Sequence, residues 1–112
     1  APGQLVYSMT KAGIVNMSEG FAKELAAQKI RVNAILPGAI DNQRFTNVMT
    51  RIAEQSGRSV AEVEAEQLQF ISMRTKIQPA EIADMVLFLC SDAARHVSGQ
   101  LIGVDGNIEW ES

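Results

Sequence analysis

The stretch Ile30-Arg-Val-Asn-Ala-Ile-Leu36, closed by Pro37-Gly38, constrains this chain most. Ile30, Val32, Ala34, Ile35 and Leu36 make a nearly continuous apolar run, not an alternating one. A strand that is apolar on both faces needs cover on both, the condition of a parallel sheet layered between helices. Pro37 cannot donate to a ladder and ends it, while Gly38 has no Cβ and lets another backbone come close. The one companion strand the sequence offers runs from Gln100 to Val104, between Gly99 and the turn residues Asp105-Gly106. Two strands do not make an independent sheet. The chain therefore reads as half of a larger layered arrangement.

Helices surround these strands. From Tyr7 to Gln28 the apolar residues Ile14, Met17, Phe21 and Leu25 form a stripe, with Asn16, Glu19, Lys23 and Glu24 largely opposite. Residues 41–77 read as an inserted helical segment. Phe45, Val48, Met49 and Ile52 fit one helical face, and Gly57 is its stop. Ser59-x-x-Glu62 is a capping-box pattern for a second helix that would carry Val63, Phe70 and Ile71. Pro79 opens a third helix with Glu81 in its first turn and a stripe of Ile82, Met85, Val86 and Leu89. The order is helix, strand, helical excursion, helix, strand. That alternation predicts an α/β fold with parallel strands.

Composition narrows the classes. At 112 residues the chain suffices for one small domain and not for two. A lone cysteine, Cys90, excludes an internal disulfide framework and suits a reducing compartment. No apolar run approaches the roughly 20 residues of a membrane span, and no basic leader precedes an apolar core. Ten scattered Lys and Arg against 13 carboxylates argue against nucleic acid or anionic lipid as partner. A cytoplasmic location is expected. Ala1 in place of methionine fits either a removed initiator or the tail of a longer polypeptide.

The chemistry-bearing pair is Tyr7 and Lys11. Four residues apart on a helix, they share a face with the ammonium about one turn from the phenol. A phenol with a pKa near ~10 becomes a useful proton donor and acceptor at neutral pH only if its anion is stabilised. A shift of about 2–3 units, on the order of 3–4 kcal/mol, would be needed, and a fixed cation is a source of it. Other polar residues read more plainly. His96 and Asp92 have no third ligand spaced to complete a metal site. Glu62, Glu64 and Glu66 read as a solvated face, and Cys90 as an inert buried thiol. Trp110 reads as an interface anchor or a cover for a sheet edge. Phe45, Val48, Met49 and Ile52 fit either packing or the lining of an apolar pocket.

Three motifs in order resemble the short-chain dehydrogenase/reductase family of the Tyr-x-x-x-Lys type. Tyr7-Ser-Met-Thr-Lys11-Ala-Gly is similar to the catalytic segment of its fifth helix. Ile30 to Gly38 resembles its sixth strand and the Pro-Gly turn at the nicotinamide, and Val97-Ser-Gly-Gln-Leu-Ile-Gly-Val-Asp-Gly106 its last strand. The resemblance covers the C-terminal half of a Rossmann-like, doubly wound parallel sheet. It implies that residues 1–112 are part of one such domain, that residues 41–77 form the substrate lid, and that the nucleotide-binding half and the catalytic serine are absent from this sequence. It implies NAD or NADP as cofactor and an alcohol–ketone pair as substrate. Tyr7 would be the general acid or base and Lys11 its tuner and a ribose ligand. Pro37, Gly38, Ala39 and Ile40 would line the nicotinamide pocket, with the Ile40 backbone at the carboxamide. Asn42 stands where the family often has a threonine that bonds the diphosphate. The isolated chain would be inactive, and it would meet either its missing half or further copies of itself in a homo-oligomer. A non-catalytic assembly protein derived from such an enzyme is the alternative, because the stripe Ile14, Met17, Phe21 and Leu25 would otherwise lie bare.

Overall fold

The computed structural model describes residues 2–109, and the backbone alone for residues 2–8, 10 and 11. The chain divides into two compact units, residues 1–35 with 89–102, and residues 36–88 with 103–112. Helices α1 (Pro2–Leu25), α2 (Gln43–Ser56), α3 (Val60–Leu68) and α4 (Pro79–Leu89) alternate with strands β1 (Ala34–Pro37) and β2 (Leu101–Val104). The two strands are neighbours, and their bonds advance together from Val32–Gly99 to Gly38–Val104, so the pair is parallel.

In the first unit, α1 runs on into a short 3-10 turn, Ala26–Gln28, which Lys29 closes in the left-handed conformation at φ 61°. The regular ladder starts at Ala34, four residues later than the apolar run predicts. Side chains account for the difference. Val32 N–H donates to Ser98 Oγ at 3.1 Å, and Asn33 Nδ2 donates to the Val97 carbonyl at 2.9 Å. Asn33 Oδ1 accepts the Gln100 N–H at 3.1 Å. Residues 31–33 are thus tied to residues 97–100 by amide and hydroxyl groups beside a single backbone bond, Gly99 N–H to the Val32 carbonyl at 2.7 Å. The double cover predicted for the strand is not supplied by the described residues: β1 is half-buried and Ile30 is exposed. On α1 Ala22 is buried, while Ile14, Met17 and Phe21 are 46%, 56% and 44% exposed, an apolar face without cover.

The second unit owns the larger core. Asn42 caps α2, with its Oδ1 accepting the Phe45 N–H at 2.9 Å, and Gly57 ends that helix at φ 70°. Met49, Ala53 and Val63 are buried together, with Phe45 and Ile52 packed on them. Ser59 caps α3 as its pattern predicts. Its Oγ accepts the Glu62 N–H at 3.1 Å and donates to Glu62 Oε1 at 3.1 Å.

Two sequence expectations fail here. Helix α3 ends at Leu68, so Phe70 and Ile71 lie outside it. Residues 70–73 instead pair with 106–109, through Glu109 N–H to Phe70 O, Ser72 N–H to Asn107 O and Met73 N–H to Gly106 O. That long-range pairing overrides local helix preference and buries Ile71. The carboxylates of α3 are also not simply solvated. Glu62 belongs to the cap, Glu66 pairs with Arg58, and Glu64 lies 2.8 Å from Lys76 Nζ. A third correction falls in the first unit, where Cys90 is exposed. Leu89 takes the last buried position of α4, and the following residue turns outward.

Candidate functional site

Tyr7 and Lys11 lie one turn apart on the α1 backbone, in the first unit, on a common helical face. Their side chains lie outside the described residues, as does all of Trp110. The other candidates, Pro37, Gly38, Ala39, Ile40 and Asn42, are contiguous in the second unit.

Pro37 is the last residue of β1, where its missing N–H costs no ladder bond. Gly38 follows with its N–H on the Val104 carbonyl at 3.0 Å. A Cβ built on Gly38 would lie 2.8 Å from Asp105 Cα and 3.1 Å from the Asp105 carbonyl oxygen. The close backbone approach expected of that glycine is therefore real, and its partner is Asp105.

Residues 39–41 then meet the far end of the helical excursion. Ile77 N–H donates to the Ala39 carbonyl at 2.7 Å, and Asp41 N–H donates to the Ile77 carbonyl at 2.8 Å. In this parallel bridge of Ile40 with Ile77, both bonds go to the neighbours of residue 40. Ile40's own N–H and C=O therefore face the other side of the segment. Asn42 has a structural role that the sequence reading did not include. Its Oδ1 accepts the α2 cap bond, which leaves the Nδ2 donor available for a bound anion.

A polar clasp reinforces this junction. Gln78 Nε2 donates to Asp41 Oδ2 at 3.0 Å, and Lys76 Nζ lies 3.3 Å from Asp41 Oδ1. The same ammonium lies 5.6 Å from the Phe45 ring centroid. The Gln78 hydrogen bond, then the hydrogen bond and charge of Lys76, hold the Asp41 carboxyl below its ordinary 3.8. The Glu64 hydrogen bond foremost holds the Lys76 ammonium above its ordinary 10.5, against an opposing desolvation, with Asp41 adding to the rise. A lowered Asp41 pKa means that its contribution is full above 3.8 and lost as pH falls through the lower folded value. A raised Lys76 pKa means that its contribution is full below 10.5 and lost as pH rises through the higher folded value. Gln78→Ala is expected to move the Asp41 titration upward toward 3.8, followed by carboxyl carbon NMR. An unmoved midpoint would mean that Gln78 does not hold the carboxylate in solution.

The clasp escaped the sequence reading, although Asp41 and Lys76 bracket the predicted excursion with opposite charges. Of the four apolar residues at the start of that excursion, Phe45, Met49 and Ile52 pack in the core and Val48 is exposed. Among the described residues no group of three His, Cys, Asp or Glu side chains is placed to hold a metal ion. None of the described helices is long and apolar enough to cross a membrane.

Residues 1–107 match the family model described as enoyl-(acyl carrier protein) reductase. The 3-oxoacyl-[acyl-carrier-protein] reductase FabG of Thermotoga maritima is 39% identical over 107 residues, covering 96% of this chain and 39% of the relative. The chain thus spans about two fifths of the length of the curated relatives it matches. Among solved structures, a short chain dehydrogenase family protein from Francisella tularensis superposes with TM-score 0.84 at 34% identity, covering 89% of this chain and 41% of that one. L-sorbose reductase from Gluconobacter frateurii, complexed with NADPH and L-sorbose, gives TM-score 0.84 at 27% identity over 92% of this chain and 40% of that one. The α/β architecture with parallel strands is that of these Rossmann-fold proteins.

Proposed function

Because the chain belongs to the short-chain dehydrogenase/reductase family, we propose that it is the tyrosine–lysine half of an NAD(P)-dependent oxidoreductase that interconverts an alcohol and a ketone. The observation that carries this reading is the spacing of Tyr7 and Lys11 on α1, followed in order by the Pro37-Gly38 strand end. The nicotinamide cofactor, NAD or NADP, supplies or accepts the hydride when bound. The NADPH held by the L-sorbose reductase supports that choice of cofactor class.

The residues of this chain fit such a cofactor at one described point. Ile40 keeps its N–H and C=O out of the bridge to Ile77, so it offers a paired donor and acceptor. A planar carboxamide presents the complementary acceptor and donor. Ala39 adds only a methyl beside that backbone, and Gly38 fixes its start by packing closely on Asp105. Asn42 Nδ2 is the group that could reach a diphosphate oxygen, with the amide oriented by the cap bond at its Oδ1.

For proton transfer, Tyr7 O–H donates to the carbonyl oxygen as carbon is reduced. In the reverse direction its phenolate takes the alcohol proton. Lys11 stabilises the phenolate by its charge and also binds the ribose. Residues 41–77, pinned at their base by the Ile40–Ile77 bridge and the Asp41 clasp, form the lid over the substrate. The exposed Cys90 thiol suits a reducing, cytoplasmic setting.

The reading is tested with the natural polypeptide that contains this segment. It is expected to oxidise NADH or NADPH in the presence of a small ketone, monitored by loss of reduced-nicotinamide absorbance. The 112-residue chain alone is expected to show no turnover. Activity of the pure short chain would overturn the half-enzyme reading.

A second reading has an observation of its own. The bare stripe of Ile14, Met17 and Phe21 on α1 demands a partner, as an assembly protein derived from such an enzyme would. The chain is expected to sediment as a homo-oligomer or bound to complementary polypeptide, and Phe21→Glu to shift it toward monomer. A monomer at micromolar concentration before any substitution would remove this reading. An oligomer with no reductase activity in the natural polypeptide would favour it.

A further inference from the structure

Apart from the proposed catalytic residues, the first unit carries a concave cleft of about 590 Å³. Lys29, Arg31, Arg95 and His96 line it, together with Asp92 and the exposed thiol of Cys90. Three of the ten Lys and Arg residues of a chain with net charge -3 thus converge on one recess that contains one carboxylate. A concave wall of one sign focuses potential and concentrates counter-ions, whereas the same charges scattered on a convex surface are screened. The volume falls within the range of roughly 300–1,000 Å³ common for small-molecule sites.

The local backbone explains the convergence. Lys29 adopts the left-handed conformation that residues with a Cβ avoid, with its N–H on the Ala26 carbonyl at 3.0 Å. That turn ends the helical run and places Lys29 and Arg31 on the same recess. Arg31 is tethered through Nη1 to the Val97 carbonyl at 3.2 Å, which uses one of the five N–H donors of a guanidinium. Ser98 Oγ accepts the Val32 N–H and keeps its own O–H to donate. The fork of Arg31 is therefore partly pre-oriented, which lowers the entropy lost on binding an anion.

A second recess of about 430 Å³ adjoins the first, sharing Ala26 and Ser98 with it, and continues along Ala22 and Gly99. Glu19 and Lys23 also line it, while the small residues Ala22, Ala26 and Gly99 leave room for an organic body beside the cationic recess. We propose that the paired recesses bind a small phosphorylated metabolite, with its phosphate on Lys29, Arg31 and Arg95 and its organic part along Ala22, Ala26 and Gly99. Two guanidiniums and an ammonium suit a phosphate dianion better than a single carboxylate, because each guanidinium can bind two of its oxygens. A recess of this depth fits a small molecule better than a flat acidic protein surface. The inference does not rest on the dehydrogenase reading, since none of these residues has a role in it.

The test uses the natural polypeptide, with inorganic phosphate, phenyl phosphate and succinate as probes. The readout is alkylation of Cys90 by iodoacetamide, resolved by peptide mass spectrometry, alongside calorimetric titration. Iodoacetamide is uncharged, so repulsion of the reagent by a bound anion does not govern the rate. Phenyl phosphate is expected to protect Cys90 saturably, to bind more tightly than inorganic phosphate, and to weaken as salt rises. Lys29→Gln with Arg95→Gln is expected to weaken it by at least about tenfold, with nicotinamide-dependent turnover unchanged. Arg95→Gln alone, at an exposed position, repeats the test if the double variant fails to fold. Absence of saturable protection, binding that survives both substitutions, or protection by succinate equal to that by phenyl phosphate would overturn the proposal. So would protection by an acidic peptide alone.

Discussion

Phenylalanine in place of Tyr7, in the natural polypeptide, is expected to lower kcat by roughly 10²–10⁴-fold while cofactor affinity changes little. The substitution keeps the ring and removes only the hydroxyl, so a loss of that size reports the proton-transferring group and not packing. Lys11→Met is expected to behave differently. On the proposed reading, removing the cation takes away what stabilises the phenolate, and the pKa of Tyr7 is expected to rise toward its ordinary ~10. For alcohol oxidation the phenolate is the working form. The rate should therefore fall most near neutral pH and recover as pH rises, with the limb of the kcat/KM profile displaced upward by about 2 units. The same variant should also bind cofactor more weakly, because Lys11 is assigned to the ribose. Stopped-flow hydride transfer across pH, with cofactor binding followed separately by fluorescence, distinguishes the two roles. Equal residual activity of Tyr7→Phe and the parent would remove Tyr7 from the chemistry. A Lys11→Met profile unshifted in pH would leave that lysine with cofactor binding alone.

Much of this arrangement is legible in the residues because it is local. Ser59 with Glu62, and Gly57 past the end of an apolar face, mark helix limits through bonds made within a few residues, and both appear as read. The spacing of Phe45, Val48, Met49 and Ile52 marks a helical face and leaves open packing or a pocket lining; Phe45, Met49 and Ile52 pack in the core and Val48 is exposed. What the sequence hides is what distant segments do to one another. Phe70 and Ile71 continue a helical pattern, yet residues 106–109 bond the backbone of Phe70, Ser72 and Met73. Lys76 carries no local signal of a role, and acquires one from Asp41 and Glu64, which are 35 and 12 positions away. Cys90 follows an apolar stripe and reads as buried, but Leu89 already fills the last inward position. The same limit applies to the candidate site. Tyr7, Lys11 and the Pro37-Gly38 pair are recognisable by type and order, whereas the free backbone face of Ile40 follows from its bridge to Ile77.

Gly38→Ala is expected to destabilise the chain by about 1–3 kcal/mol, the cost of forcing extra volume into a closely packed place. The added methyl would lie 2.8 Å from Asp105 Cα, 2.9 Å from its Cβ and 3.1 Å from its carbonyl oxygen. Two of these three atoms are backbone, so no side-chain rotation relieves the contact. Either residue 38 or residue 105 must retreat, and the Gly38 N–H to Val104 O bond of 3.0 Å spans the same gap. Gly13→Ala supplies the opposite case. Gly13 lies within α1, and a Cβ there meets nothing within 4 Å. That substitution should stabilise by roughly 0.8–1.0 kcal/mol, the helix preference for alanine over glycine. One chemical change thus carries opposite signs at two glycines, because Gly13 is helical and open whereas Gly38 lies against Asp105. Urea unfolding of both variants measures it. Stabilisation by Gly38→Ala, or a loss equal at both positions, would mean that the strand end is looser than its geometry. If Gly38→Ala loses stability as expected, the loss should also reach the cofactor site. The backbone from Gly38 to Ile40 is continuous, so a displaced residue 38 moves the groups assigned to the carboxamide, and KM for the cofactor should rise with it.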